Sequence, residues 1–499
     1  MNPLEKKTKR RRGARGGDAL TNSPNTPAQT TAISSTTKSK KRKRGAEIPK
    51  IGDVDFLSPT QLRNKRKKNA LKAKKLQAAM EDPTDSTSNS ISNSNNKKKN
   101  NKSSFSSVDP SQRYIANPLL APRVVAAQNF FSTNYPSLPP LSLFVDEKVG
   151  WRTHSKLAVR GTSPLKIGLF RPNSHDVIEG DSSAHHEKIN QTVKTLSSIC
   201  NQLSIQSYDE NTGNGDLKYV QISVETKSEK VQLTLVWNAT GEKENERKSE
   251  LDILTKTVVK EMSSSLHSLY VHYNRTWKHA NNIFGREKNS WVSVFGPKAI
   301  EETMVIESCD HDVNLYFPPN VFRQANQKSF ARIINNARGW LKENAQAGGY
   351  KKCLELYGGV GTIGLNMVDL FGELICSDEN PFNVECFEKS VSQLNKKLRK
   401  KVRYEGKSAE GCVEGGVLAK DVDIVVVDPP RKGLDGLVLG ALNEGKGLKT
   451  LLYVSCGFDA FVTDCKCLEE KGGWKLVKAE GHVLFPGSDA IETLAMFVR

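Results

Sequence analysis

From about residue 350 the apolar positions fall into two alternating rhythms. Short runs that are almost wholly apolar, "CLELYG", "ELICSD", "DIVVVD" and "TLLYVS", predict strands buried on both faces. Between them, "IGLNMVDLF" and "VECFEKSVSQLNKKL" read as helices. Alternation of this kind predicts a parallel sheet covered on both sides, an α/β domain. Residues 150–325 are patterned differently. "KLAVRG", "KIGLFR", "YVQISVE" and "VQLTLVW" read as short strands and "HHEKINQTVKTLSSICNQL" as a helix, so a separate α+β domain of undefined topology is expected. The N-terminal stretch has neither rhythm. Lysine and arginine runs such as "KKTKRRRGARGG" and "KSKKRKRG" alternate with Ser/Thr/Asn segments, too polar to repay the entropy of ordering, and only "NKRKKNALKAKKLQAAM" has the composition of a helix. The expected division is a disordered tail over 1–115, a central domain over 116–320 and the α/β domain over 321–499.

The net charge of +19 over 499 residues changes this picture only through its distribution. Residues 1–110 hold 26 Lys and Arg against 9 Asp and Glu, and the rest of the chain holds 48 against 46. The basicity therefore belongs to the tail, where it implies phosphate contact and a handle for a nuclear import receptor. A nuclear or nucleolar address is expected, with a plastid or mitochondrion as the alternative. No run approaches the ~18 apolar residues of a membrane span, and no apolar leader opens the chain. The nine cysteines are odd in number and irregularly spaced, which points to free thiols. Cys465 and Cys467 form an isolated C-x-C, and His185 and His186 have no evident partners, so no metal is expected.

Chemistry concentrates where the strands end. "LELYGGVGTIGL" places Gly358, Gly359 and Gly361 after the first strand, where bare backbone can approach a ligand before a helix expected near Thr362. Asp378 closes the next strand, at the distance from the glycine turn where an acid reaches a ribose hydroxyl pair. This combination fits a nucleoside cofactor but does not separate NAD from S-adenosylmethionine. "VVVDPPRKGLD" then puts Asp428 at the end of a buried strand, held by two prolines and followed by Arg431. "LLYVSCGFD" puts Cys456 at the same sheet edge, in reach of a ligand bound there.

In that order, "LELYGGVGTIGL", "VDPPRKGLD", "YVSCG" and "FPGSDAIE", preceded by "PPNVFRQANQKSFARII", resemble the S-adenosylmethionine-dependent RNA uracil-5-methyltransferases. The resemblance covers roughly 145–499, and "WRTHSKLAVRG", "LKIGLFRP" and "GDLKYVQIS" look closest to the bacterial branch that methylates ribosomal RNA without an appended OB-type domain. It implies a Rossmann-like class I methyltransferase domain and S-adenosylmethionine as cofactor. It also implies an RNA substrate, transfer or ribosomal, and a monomer. Position by position, Cys456 matches the nucleophile and Glu492 the general base. Gln324, Tyr357, Asp378 and Asp428 match cofactor-binding positions, and Thr362 aligns with a further one. Arg431 is open between stabilising an enolate or phosphate and a surface ion pair. The chain departs from the family pattern at Gly358 (usually cysteine), Ala490 (commonly histidine) and Gly457 (frequently asparagine). No cysteine precedes Cys200, so the iron–sulfur cluster of some relatives is not expected. The competing reading is an RNA-binding or ribosome-assembly factor that keeps the fold without turnover.

Overall fold

The computed structural model describes residues 109–499, apart from 163, 277–283, 286, 308, 346–348 and 420. Most of the expected tail, with its helix-prone stretch, lies outside the described residues. Its last part does not. Asp109 is buried, and its carboxylate accepts bonds from Ser111 N (2.8 Å), Ser111 Oγ (2.6 Å) and Ser182 Oγ. Residues 109–115 are thus built into the fold, because a buried carboxylate needs these donors.

Helix α1 (Pro122–Asn134) follows, starting on a proline whose missing N–H costs nothing there. It buries Val124, Ala127 and Phe131 at helical spacing. Strand β1 (Ser142–Val145) comes next. The central elements are β2 (His154–Arg160), β3 (Lys166–Gly168), α2 (Glu187–Gln202), β4 (Leu217–Val224), β5 (Val231–Trp237), α3 (Lys248–Glu261), β6 (Leu266–Tyr273) and β7 (Trp291–Phe295). They form a sheet in the order β3-β2-β4-β5-β6-β7, antiparallel except where α3 carries the chain from β5 to a parallel β6. A separate hairpin, β8 (Ile300–Thr303) with β9 (Asn314–Phe317), adds Leu315 and Phe317 to the core of the C-terminal part.

The C-terminal part opens with α4 (Gln327–Asn344). Asn326 caps it by accepting a bond from Ser329 N, and one face buries Phe330, Ile333, Ile334, Ala337 and Leu341. Then come β10 (Tyr350–Leu356), β11 (Phe371–Ser377), α5 (Asn383–Gln393), α6 (Lys396–Arg399), β12 (Val402–Glu405), α7 (Ala409–Glu414), β13 (Ile424–Val427), α8 (Gly436–Glu444), β14 (Thr450–Ser455), α9 (Phe458–Gly472), β15 (Lys475–Val483) and β16 (Glu492–Val498). The eight-stranded sheet runs β1-β15-β16-β14-β13-β10-β11-β12, parallel from β14 to β12 with β16 antiparallel to both neighbours.

The fold departs from expectation at two further places. The expected central domain includes residues 122–145, but α1 packs into the core of the C-terminal part and β1 pairs in parallel with β15. The apolar face of α1 is buried against β15 and helix α9 of this C-terminal part, which is why the segment leaves the domain that follows it. The helix expected from Thr362 is instead a turn followed by a 3-10 helix, Leu365–Leu370. Leu365, Met367 and Val368 are all buried there and strand β11 begins at Phe371, so the short connection winds tightly instead of presenting one apolar stripe.

Strand pleating decides what reaches the sheet edge. Val426, Leu452, Val454, Leu494 and Met496 share one core with α4, whereas Val425, Val427, Leu451, Tyr453 and Phe497 lie in the core on the opposite side. Alternation places Asp428, Cys456 and Glu492 on the α4 side, together with Glu355 of β10 and His482 of β15. Five ionisable groups from five strands line one face.

Candidate active site

Asp428 is the residue after β13, Cys456 the residue after β14, and Glu492 the first of β16. The ladder between β14 and β16 pairs Ser455 with Thr493, so Cys456 and Glu492 stand opposite one another one step further on. The Cys456 thiol points at the carbonyl of Pro429, 3.9 Å away, which ties it to the loop that carries Asp428. Gly457 permits this closeness. A Cβ there would stand 2.3 Å from the Arg431 carbonyl oxygen.

Burial dominates the electrostatics. It pushes the Cys456 thiol up to about 12, with the Glu492 and Asp428 charges adding to the rise and Arg431 opposing it. Burial, and then the charge of Glu355, raises Asp428 to about 7. Glu492, 4 % exposed, lies well above the carboxylate range through burial and the Asp428 charge, again opposed by Arg431. Arg431 is exposed and forms no ion pair among the described residues, so the surface-pair reading has no carboxylate to support it.

The cofactor-binding candidates lie along the same edge. Tyr357 has φ +59°, a left-handed conformation unusual for an aromatic residue, and its hydroxyl donates to Asp435 Oδ2 (3.3 Å). Asp378 accepts bonds from Gly359 N (3.1 Å) and Asn380 N (2.8 Å), one on each oxygen, which fixes its carboxylate against the glycine turn. Thr362 is half-buried just beyond that turn. Gln324 is half-buried in the segment between β9 and α4. That segment is tied to the Asp378 turn by Asn380 Nδ2 on Asn320 O (3.0 Å) and to the end of β15 by Asn326 Nδ2 on Leu484 O (2.9 Å). The structure thus gathers Cys456, Glu492 and Asp428 into one cluster and Tyr357, Thr362 and Asp378 around the glycine turn.

Sequence reasoning missed Glu355. Its Oε1 accepts from Gly364 N (2.9 Å), while Oε2 is buried without a partner. Burial raises it to about 7, and Asp378 adds to the rise. A lone carboxylate inside the apolar run "CLELYG" was the available signal. Gly358 also finds its reason. A Cβ there would meet Cys376 Sγ at 2.5 Å, so the sulfur of the next strand fills that space.

A nucleoside cofactor fits this edge. Gly359 has φ +57° and open space where a side chain would project, and Asp378, with one bond on each oxygen, keeps acceptor capacity beside it. Among the described residues one group of potential metal donors lies close together: Cys309, His311 and Asp369, within 4.8 Å. Each is already satisfied: the Cys309 thiol by His311 O (3.1 Å), His311 Nε2 by Leu365 O (3.1 Å), and Asp369 by a two-pronged pair with Arg338 (2.7 and 2.8 Å). All nine cysteines are unpaired, and among the described residues no helix is long and apolar enough to cross a membrane.

No protein-family model matches the chain. An uncharacterized RNA methyltransferase of Protochlamydia amoebophila is 35% identical over 379 residues, covering 74% of this chain and 91% of that protein. The 23S rRNA (uracil(747)-C(5))-methyltransferase RlmC of Shewanella oneidensis is 25% identical over 384 residues, covering 76% and 89%. The crystal structure of the Pyrococcus abyssi tRNA (uracil-54, C5)-methyltransferase with S-adenosyl-L-homocysteine superposes with a TM-score of 0.54 at 21% identity, over 75% of this chain and 83% of that one. That likeness speaks for the fold: the strand order of the C-terminal sheet is that of a class I methyltransferase. The P. amoebophila relative is similar over nearly its whole length, and the chain belongs to the S-adenosylmethionine-dependent RNA methyltransferases, the family that includes the uracil-5 enzymes.

Proposed function

We propose that this RNA methyltransferase acts on carbon 5 of a uridine in structured RNA, transfer or ribosomal, through a covalent bond between Cys456 and carbon 6 of the base. The observation that supports it most is the nearness of Cys456 to Glu492, one step past the last β14–β16 pair, with the charges of both Glu492 and Asp428 acting on the thiol. Carbon 5 of uracil is a weak nucleophile. When the Cys456 sulfur adds to carbon 6, the ring electrons move to the carbonyl oxygen and carbon 5 gains enolate reactivity. The glycine turn, Asp378 and Asp428 would hold S-adenosylmethionine, which would supply an electrophilic methyl group. Glu492 then removes the proton on carbon 5, the double bond re-forms, and the Cys456 sulfur leaves.

Burial keeps the Cys456 thiol protonated in the RNA-free protein, so its proton must move as the base arrives. Asp428 is the neighbouring acceptor, which leaves Glu492 free for the carbon 5 proton, and the exposed Arg431 guanidinium would balance the enolate or a backbone phosphate. The prolines of "DPPR" stiffen the loop that carries Asp428, where a displacement of an ångström is costly.

Cys456→Ala tests the reading. It should bind S-adenosylmethionine normally and produce no 5-methyluridine in transfer or ribosomal RNA transcripts, measured by nucleoside mass spectrometry. Wild-type product from this variant would sink the mechanism. A wild-type protein that binds RNA but methylates none would favour the silent RNA-binding factor.

A further inference from the structure

Glu492 must be reset after it takes the carbon 5 proton. It is 4 % exposed, and its Oε1 has no partner in the protein, so the acid has no evident direct route to lose that proton to water. The register supplies a neighbour. His482 of β15 is the Cα partner of Glu492 on β16, so both side chains leave the same face, with Cβ atoms about 4.5–5.5 Å apart for such pairs. His482 is 1 % exposed, and neither ring nitrogen makes a hydrogen bond. Nε2 stands 3.4 Å from Oε2 of Glu480, which is partly exposed and also accepts a bond from Asn336 Nδ2 at 2.7 Å. Phe144 of β1 stacks on the ring, with centroids 5.0 Å apart at 19°. From α4, Arg332 lies over Phe144 on the same side.

A buried imidazole with both nitrogens unbonded is expensive to keep unless it has work to do. We propose that His482 is a proton-relay residue that takes the proton from Glu492 and hands it on toward Glu480 and solvent, resetting the base for the next turnover. The proposal rests on the assignment of Glu492 as the base. In the step, the O–H bond of Glu492 breaks and an N–H bond forms on His482. The resulting imidazolium sits against the Glu480 carboxylate, then loses its proton and returns to the neutral ring.

His482→Phe in the full chain tests this, because it keeps an aromatic ring on Phe144 but cannot carry a proton. Transcripts containing 5-fluorouridine trap the Cys456 adduct without any need for proton removal, so the variant and the wild type should trap equally on a denaturing gel. On ordinary uridine transcripts the first turnover of the variant should match the wild type and later turnovers should release product at least about tenfold more slowly, with adduct accumulating and S-adenosylmethionine affinity unchanged. His482→Gln should behave likewise and guards against a folding defect in the first variant. Release at the wild-type rate by His482→Phe, with only His482→Ala slowed, would assign the ring to stacking and overturn the relay. Absence of any trapped adduct in the wild type would instead remove the covalent reading on which it stands.

Discussion

Glu355 and Asp428 lie on the same face of the adjacent parallel strands β10 and β13, and the Glu355 charge opposes ionisation of Asp428. Both carboxyls are raised to about 7, chiefly by burial. In the unfolded chain they would titrate near 4. The folded protein therefore binds more protons between these values, so the stability they contribute is full below about pH 4 and is lost as pH rises to about 7. Glu355→Gln should remove part of this loss. Urea midpoints at pH 5 and pH 8 should differ less in the variant, by a change on the order of 1–3 kcal/mol. An unaltered difference would place the titrating pair elsewhere.

Arg431 is the one cation that opposes the rise of both Cys456 and Glu492. Its removal leaves the thiol harder to ionise. Arg431→Ala should lower kcat/KM at neutral pH by about tenfold or more and displace the rising limb of the pH–rate profile upward. Arg431→Lys should recover part of the loss. A profile that drops uniformly without moving would point to a role in holding phosphate alone.

Asp378 is aligned by two backbone N–H groups before any ligand binds. Asp378→Ala should weaken S-adenosylmethionine by about 10–100-fold in calorimetry, the scale of hydrogen bonds to a charged group. NAD should bind neither form. Unchanged affinity would move the cofactor's ribose away from this carboxylate.

The basic tail can be tested apart from the fold only if the cut respects Asp109. A chain lacking 1–98 keeps the Asp109–Ser182 hydrogen bond and should retain cofactor binding. Its RNA affinity should be lower and less salt-dependent. The slope of log affinity against log salt should fall by roughly 0.7–0.9 for every RNA phosphate that the tail neutralises. An equal slope would show that the tail does not touch RNA.

The strands of the catalytic sheet were legible because buried parallel strands are continuous apolar runs, punctuated by "GGVG" and "DPP". Cys456 and Asp428 followed from their positions at strand ends. What the chain did not disclose depends on partners distant in sequence. Nothing local to "SLFV" says that β1 will pair with β15. His482 becomes a neighbour of Glu492 only through an antiparallel register, and Glu355 becomes part of the site only because Gly364 and Cys376 fold back onto it. The helix expected after Thr362 rests on a misjudged period, since the residues between the glycine turn and β11 are buried all round.

The docking of α1 and β1 has a consequence for how the protein is made. Ser142 pairs with Glu480, and Phe131 packs against Phe458 and Phe461, partners encoded more than three hundred residues later. A ribosome exposes the apolar side of α1 long before its cover exists, while the central domain between them has a core of its own. The first α-helix among the described residues must therefore wait for nearly the last strand. Late chain termination, even within β15 or β16, would leave the N-terminal helix uncovered as well, and such a truncated product should be a substrate for chaperones, not a smaller enzyme.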